Sequence, residues 1–263
     1  MFNAKAENPQ HLEVLKNEDT IKRAKEILRR DFLGVEAIKK FEEVVSRLSG
    51  RKVEFVLDDL PPLPYSEEDL QIAKDCGEML VLRPKVIRID GEKVPITLLT
   101  LIELTILFSK DQLGKPQKVF NPSYWYMVEK EENFATSAEE IKSGWSLVKK
   151  DVFKGSTRKT WYDQEQLLRE YEKNLRERGA KNATVRRRTA AETVFDVLLY
   201  YVNTGKRLLT KKYDWGQSKT QHSFSSKDWE SFVAVGKFDS LPPQVHGLLP
   251  KFYSKNLGVC PSR

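Results

Sequence analysis

Cysteine and histidine are scarce in this chain of 263 residues, which has only two cysteines and three histidines. Cys76 and Cys260 make neither a disulfide framework nor a zinc-binding set, so we expect a reducing, cytoplasmic setting. His11, His222 and His246 are scattered, and none belongs to a helix-spaced His-x-x-x-His or His-x-x-Glu pair. We therefore expect no catalytic metal.

Motifs that carry catalysis or bind nucleotides are also missing. The chain has no GxGxxG, no P-loop and no G-x-S-x-G elbow, and neither cysteine has a histidine near it in sequence. The acidic pairs at 58–59 and 67–68 are consecutive residues beside prolines or at a predicted helix start. That setting favours a solvated turn and a favourable charge at a helix N-terminus over a catalytic dyad. We predict that the protein is not an enzyme and needs no cofactor.

Long apolar runs are absent too. The first residues lack a basic head followed by an apolar stretch, so no signal peptide is expected. The longest apolar stretch, residues 96–108, carries Glu103 and is shorter than the roughly 20 residues that a membrane-spanning helix needs. We expect no membrane span.

The residues that are present indicate a folded protein. Hydrophobic residues make up 40% of the chain and aromatic residues 10%, which is typical of a globular protein with a buried core. The net charge of +7 and the pI near 9.2 permit contact with nucleic acid or with an acidic surface without requiring either.

Periodicity predicts helices in the first 50 residues, with Gly50 at a helix C-cap, and a short strand at 52–57. Prolines at 61, 62 and 64 form a stiff connector, so we divide the chain into a helical N-terminal segment, 1–63, and a main domain, 64–263. In the main domain the patterns predict strands at 79–83, 85–89, 145–150 and 233–238, and helices that begin at Ser66, residue 97, Thr160 and Thr189, the last ending at Gly205. This mixed order, ending in consecutive strands, predicts an α+β fold.

The aromatic residues divide into two groups. Those inside or beside predicted elements are expected to be core: Trp125, Trp145, Trp161, Trp215, Phe232 and Phe238. The second group falls between the predicted C-terminal strands, among Ser, Lys and Gln, together with two histidines: His222, Phe224, Trp229, His246, Phe252 and Tyr253. Each of these alone is as compatible with a packed loop anchor as with an exposed contact. As a group they are hard to bury together, which indicates a recognition surface.

Three stretches resemble a known family. GWSLVKKDVFKGSTRKTWYDQ (144–164), AETVFDVLLYYVNTGKRLL (191–209) and the C-terminal end are similar to proteins of candidate-phylum bacteria. Their C-terminal end resembles the C-type-lectin-like domain of the formylglycine-generating-enzyme type, as used by the variable proteins of diversity-generating retroelements. The residues of that frame are Tyr213, Trp215, Val233, Val235, Gly236, Phe238, Asp239, Leu257, Gly258, Val259, Ser262 and Arg263.

The resemblance implies a binding function without catalysis. In such variable proteins an error-prone reverse transcriptase rewrites chosen codons near the C-terminus, and the scaffold displays the changed side chains to a ligand. The chain lacks the pair of active-site cysteines that holds copper in the enzyme of this fold class, and it lacks the Glu-Pro-Asn and Trp-Asn-Asp motifs of calcium-dependent lectins. We therefore expect a hypervariable loop surface that binds an unknown protein or other macromolecule, with no metal. The expected ligand-binding residues are Gln217, Lys219, Gln221, His222, Phe224 and Trp229 in a first loop, and His246, Lys251, Phe252 and Tyr253 in a second.

Three alternatives remain open. The first is a nucleic-acid-binding protein that uses the basic clusters at 186–188 and 206–212, for which a solvated face is the simpler interpretation. Its residues would be Arg186, Arg187, Arg188, Lys206, Arg207, Lys211 and Lys212. The second is a degenerate enzyme of the same fold, for which the sequence offers no catalytic group of residues. The third, compatible with ligand binding, is an assembly role for the N-terminal helices.

Overall fold

The computed structural model describes residues 9–58, 61–103, 133–220, 230–239 and 244–263, and it has the expected α+β composition. The helices are α1 (Pro9–Leu28), α2 (Val35–Ser49), α3 (Glu67–Asp75), α4 (Asn133–Thr136), α5 (Trp161–Glu177) and α6 (Ala190–Thr204). The strands are β1 (Phe32–Leu33), β2 (Val53–Phe55), β3 (Glu78–Arg83), β4 (Val86–Ile89), β5 (Glu92–Pro95), β6 (Gly144–Lys149), β7 (Tyr213–Thr220), β8 (Ser231–Gly236), β9 (Gln244–Leu248) and β10 (Leu257–Gly258).

The strands form three small sheets. Their orders are β1-β3-β6, β2-β4-β5 and β10-β7-β8-β9. Only the pairs β1·β3 and β10·β7 are parallel among these described strands, and the other neighbours are antiparallel. The last sheet carries the C-terminal segment in which the sequence predicts the binding loops.

Helix ends follow the local sequence closely. The hydroxyls of Ser66, Thr160 and Thr189 each accept a hydrogen bond from the backbone N–H three residues on, and the backbone N–H of each donates to the carboxylate of that same residue, which makes three capping boxes. Gly50 and Gly205 end α2 and α6 in the left-handed conformation, with φ of 68° and 69°. These predicted helix boundaries are confirmed.

Helix α6 is the centre of the molecule. Its residues 190–200 are all buried, so this helix has core on every side of its first three turns. Phe195 contacts Phe41 of α2 at a ring-centroid distance of 6.0 Å and Phe55 of β2 at the same distance. The N-terminal helices therefore pack into the core that α6 organises.

The proline connector does not separate two cores. Leu28 of α1 and Leu70 of α3 belong to one buried cluster, and Phe41 belongs to the largest cluster together with residues of α6 and the C-terminal sheet. Apolar contacts thus cross residue 63, while the division into 1–63 and 64–263 stays a prediction about the sequence segments.

The last described residues are ordered. Ser262 forms antiparallel bridges with Val148 and with Arg186. The Arg263 side chain is 3% exposed and donates to Glu78 through Nε at 3.0 Å, while Tyr171 Oη donates to the other oxygen of Glu78 at 2.6 Å. The last residues therefore connect β6, α5 and the C-terminal sheet.

Two predictions fall partly or wholly outside the described residues. Of the helix predicted from residue 97 to 110, residues 98–103 are helical and the remainder lies outside the described ranges, as does Trp125. Trp215, Phe232 and Phe238 are buried, as predicted, whereas Trp145 and Trp161 are half-buried.

Candidate recognition face

The C-terminal sheet brings the two predicted binding segments to the same end. Phe232 of β8 pairs with Lys219 of β7 on one side and with Leu248 of β9 on the other. The chain therefore leaves β7 and enters β8 at the end of the sheet where it also leaves β9. The two predicted binding segments therefore start at the same end of one sheet, the first after Thr220 and the second after Leu248.

Gln217 and Lys219 lie in strand β7, so their prediction as loop residues is wrong. The segment from Tyr213 to Thr220 reads as turn-rich because it holds Gly216, Gln217 and Ser218, but its alternate residues are buried. Gln217 and Lys219 occupy the exposed positions, where Lys219 forms an ion pair of 2.5 Å with Glu230. Both side chains still face solvent from the sheet.

His246 was also predicted in a loop, and that is wrong, because it lies in strand β9. Its ring packs edge-on against Tyr213 at a centroid distance of 4.9 Å, and its Nε2 lies 3.4 Å from Gln244 Oε1. Burial, and to a lesser degree the charge of Lys237, lowers the pKa of His246 to about 4. Neutral His246 therefore belongs to the packing of the sheet rather than to an open contact surface.

Lys251, Phe252 and Tyr253 lie on an irregular segment after β9 and are exposed. Phe252 and Tyr253 are 47% and 66% exposed, and both belong to the few large hydrophobic side chains that are exposed in the described part of the chain. The backbone that carries them is held in place, since Phe252 N–H donates to Leu249 at 2.8 Å. This part of the predicted second loop has the geometry of a contact surface.

A second segment, residues 154–162, lies beside residues 249–256 and was not predicted as part of the site. Trp161 N–H donates to Pro250 at 2.9 Å, and Arg158 N–H donates to Ser254 at 2.8 Å. These two bonds place residues 154–162 against residues 249–256, and we call the two segments together the aromatic face. Tyr162 is 58% exposed and adds a third ring to it.

Trp161 joins the aromatic face to the sheet. Its ring stacks on Phe232 at 4.4 Å with an interplanar angle of 17°, and its Nε1 donates to Gly216 at 3.4 Å. The sequence assigns Trp161 to the core, whereas it is half-buried with its neighbour Tyr162 exposed. One sequence signal could have predicted this exposure. Both rings lie in the first turn after the Thr160 cap, where the N-terminus of a helix meets the surface.

Arg187 holds Trp161 of α5 next to strand β7. Its guanidinium lies 4.3 Å from the centroid of the Trp161 ring. The same group donates to the carbonyl oxygens of Trp215 at 2.7 Å and Trp161 at 2.9 Å, and forms an ion pair of 2.5 Å with Glu165. One buried cation thus ties α5 to β7, which keeps the aromatic face on a rigid base.

The arginine run at 186–188 is not a solvated face, contrary to the prediction. The Arg188 side chain is 1% exposed and lies between Asp196 at 2.9 Å and Asp214 at 2.8 Å. The Arg187 side chain is 2% exposed. The sequence missed this because the carboxylates that pair with the run lie in three elements, α5, α6 and β7, and Glu165 and Asp214 are more than 20 residues away in the chain.

Glu192 completes a buried ionic network at the start of α6. Its carboxylate contacts Arg186 at 2.6 Å and Arg83 at 3.2 Å, and Arg83 also pairs with Asp196 at 2.7 Å. Burial alone would raise the pKa of Glu192, but Arg83 and Arg186 outweigh it and hold the pKa at about 2. Of the three arginines at 186–188, Arg187 and Arg188 are therefore closed to solvent, and Arg186 is paired with Glu192.

The second basic cluster, 206–212, is partly engaged as well. The Arg207 guanidinium lies over the rings of Tyr201 at 4.9 Å and Phe238 at 5.0 Å. Lys212 pairs with Asp151 at 2.8 Å, whereas Lys206 and Lys211 are exposed. The cluster therefore offers two exposed cations rather than four.

Four predicted ligand-binding residues lie outside the described ranges: Gln221, His222, Phe224 and Trp229. Among the described residues no group of three or more His, Cys, Asp or Glu side chains is arranged to hold a metal ion.

Cys260 is buried, and that burial raises the pKa of its thiol. Cys260 N–H donates to Asp214 at 2.7 Å, which ties the segment after β10 to the ionic network.

Comparison with known proteins adds no further assignment. No family model, no curated protein and no solved structure matches the chain. In the described ranges, no helix has the length and apolar character needed to cross a membrane.

Proposed function

We propose that this protein is a recognition protein that binds a macromolecular ligand on the C-terminal end of its last sheet, on a C-type-lectin-like scaffold of the kind used by variable proteins of diversity-generating retroelements. The observation that carries the proposal is the row formed by Lys219, Phe232 and Leu248. This row places the last residues of β7, the first of β8 and the last of β9 at one end of the sheet, so both predicted binding segments leave the sheet there.

The low entropic cost of a pre-ordered surface favours binding at this end of the sheet. Trp161 and Arg187 hold the backbone of the aromatic face through stacking, hydrogen bonds and an ion pair. A surface that is ordered before the ligand arrives loses less conformational entropy on binding, and rigid aromatic side chains supply large contact area at low entropic cost. Phe252, Tyr253 and Tyr162 are therefore the residues from which we expect most of the affinity.

The frame residues of the family resemblance support the same assignment. Gly236 and Gly258 lie where the backbone passes so close to neighbouring atoms that a Cβ would overlap them. Val233, Val235 and Val259 are buried. In contrast, the side chains of Lys251, Phe252 and Tyr253 project into solvent, where changes of residue type cost little stability.

The test is deep sequencing of the last 160 or so bases of this gene in its native population. Diversification predicts that substitutions concentrate in codons 217, 219, 221–229 and 251–253 while the codons of the buried valines and of Gly236 and Gly258 stay constant. Even scatter of the substitutions over both sets of codons, or no variation at all, would reject a diversified recognition surface in this protein.

A further inference from the structure

The aromatic face is rich in cations. Residues 154–162 and 249–256 include five cations and no carboxylate, and the neighbouring carboxylate of Asp163 accepts hydrogen bonds from Thr160 at the helix N-cap. Glu165, the next carboxylate along α5, pairs with Arg187. The five cations of the face are Lys154, Arg158, Lys159, Lys251 and Lys255.

The exposed apolar surface of this face consists of aromatic rings. The large hydrophobic side chains that are exposed in the described part of the chain are Val35, Tyr162, Phe252 and Tyr253, and the three rings all belong to the face. Protein–protein interfaces are also rich in aromatic side chains but are depleted in lysine, whereas four of the five cations here are lysines. Rings interleaved with cations are instead the arrangement that stacks unpaired bases and neutralises phosphates.

We propose that the aromatic face binds single-stranded nucleic acid, with bases stacked on Tyr162, Phe252 and Tyr253 and phosphates held by the five surrounding cations. This inference rests on the proposed recognition function and names the ligand class that the residues of this copy fit. It differs from the alternative based on residues 186–188, because Arg187 and Arg188 are enclosed by Asp214, Asp196 and Glu165.

The first measurement is fluorescence anisotropy of the full chain with a labelled thymidine 15-mer, against the matching duplex and a 15-residue polyglutamate peptide. We expect the single strand to bind more tightly than either competitor. If five phosphates are neutralised, the log-log salt dependence should have a slope of roughly −3.5, since each contact on a single strand contributes about −0.7. Equal binding of the duplex or the peptide would overturn the proposal, because neither presents unpaired bases.

Two variants separate stacking from charge. Tyr253→Ala with Phe252→Ala should weaken binding of the 15-mer roughly tenfold or more per ring and leave the salt slope unchanged. Arg158→Gln, Lys159→Gln and Lys255→Gln together should reduce the magnitude of the slope by about 2. A ring variant that binds as wild type would overturn the proposal.

Matched controls use residues away from the face. Val35→Ala removes the remaining exposed hydrophobic side chain of the described part. Lys39→Gln, Lys206→Gln and Lys211→Gln remove the same number of charges as the charge variant. We expect both controls to bind the 15-mer as wild type does, and a control charge variant with an equally reduced slope would overturn the location of the site.

Failure of the 15-mer to bind would overturn the ligand class alone. The population sequencing described above uses no ligand, so its result decides the recognition function separately.

Discussion

Removing Arg188 should destabilise the protein strongly, because this residue neutralises the buried carboxylate of Asp214 and shares that of Asp196 with Arg83. Its guanidinium donates through Nε to Asp214 Oδ2 at 2.9 Å and through Nη1 to Asp196 Oδ2 at 2.9 Å. The side chains of both aspartates are 0% exposed. In Arg188→Met the volume is nearly kept, but Asp214 retains only neutral donors, from Thr193 and Cys260, among its described partners.

The magnitude follows from the geometry. Removing one partner of a buried ion pair costs about 3–5 kcal/mol, because the remaining charge is left without compensation in a poorly solvated site. For a chain of this size that corresponds to a fall of the melting temperature on the order of 10 °C. Thermal unfolding followed by circular dichroism measures it, with Lys206→Met as the control for loss of an exposed cation, expected within about 0.5 kcal/mol of wild type.

A small change in melting temperature would contradict this prediction. If Arg188→Met melts within about 2 °C of wild type while Lys206→Met does the same, Arg188 is not a buried partner of Asp196 and Asp214, and the account of the arginine run is wrong.

Three further predictions test other parts of the structure. Because Glu192 has a pKa of about 2 in the folded protein against an ordinary value of 4.5, its contribution of roughly 3 kcal/mol should be lost as pH falls from 4.5 to 2, and Glu192→Gln should flatten that part of a plot of melting temperature against pH. Gly236→Ala should lower the unfolding free energy by about 1–3 kcal/mol in chemical denaturation, since its Cβ would overlap the Lys212 carbonyl and lie 2.5 Å from Tyr213 Cα. Iodoacetamide followed by mass spectrometry should label half-buried Cys76 in the native protein and buried Cys260 only after unfolding; early labelling of Cys260 would contradict its burial.

Much of the fold could be predicted from short-range patterns. Helix α6 is an example, because Thr189 and Glu192 form its capping box and Gly205 ends it, and these signals act within a few residues. Strand β3 was likewise visible as a run of apolar residues beside a proline. Local hydrogen bonding and periodicity decide such elements, so the chain around them is sufficient.

The errors arose where distant residues decide the structure. Strand β7 contains glycine and several polar residues, and it is a strand because it pairs with both β8 and β10. Strand β9 was missed for the same reason, since the glycine within it and the prolines at 242, 243 and 250 on either side conceal its pairing with β8, which only the folded sheet supplies. Tertiary context overrides local propensity in strands more than in helices.

The candidate site shows the same division. Phe252 and Tyr253 were predicted from their composition and are exposed. Tyr162 was missed because its proximity to them depends on the backbone bond from Trp161 to Pro250, which joins residues 89 positions apart (250 − 161). Arg187 was misassigned because burial of a cation requires partners from other elements, here Glu165 and the carbonyl of Trp215.

The central claim is that one end of a rigid sheet carries side chains that can change without loss of the fold and that bind a macromolecular ligand. The most direct test is a displayed library in which the codons of Lys251, Phe252, Tyr253 and Tyr162 are randomised, sorted first for folded protein and then for binding to a chosen macromolecular target. The account predicts that most members fold with melting temperatures close to wild type and that rare members bind the target. It would be contradicted if folded members kept the wild-type residues at these four positions, because the side chains would then be part of the packing rather than of a recognition surface.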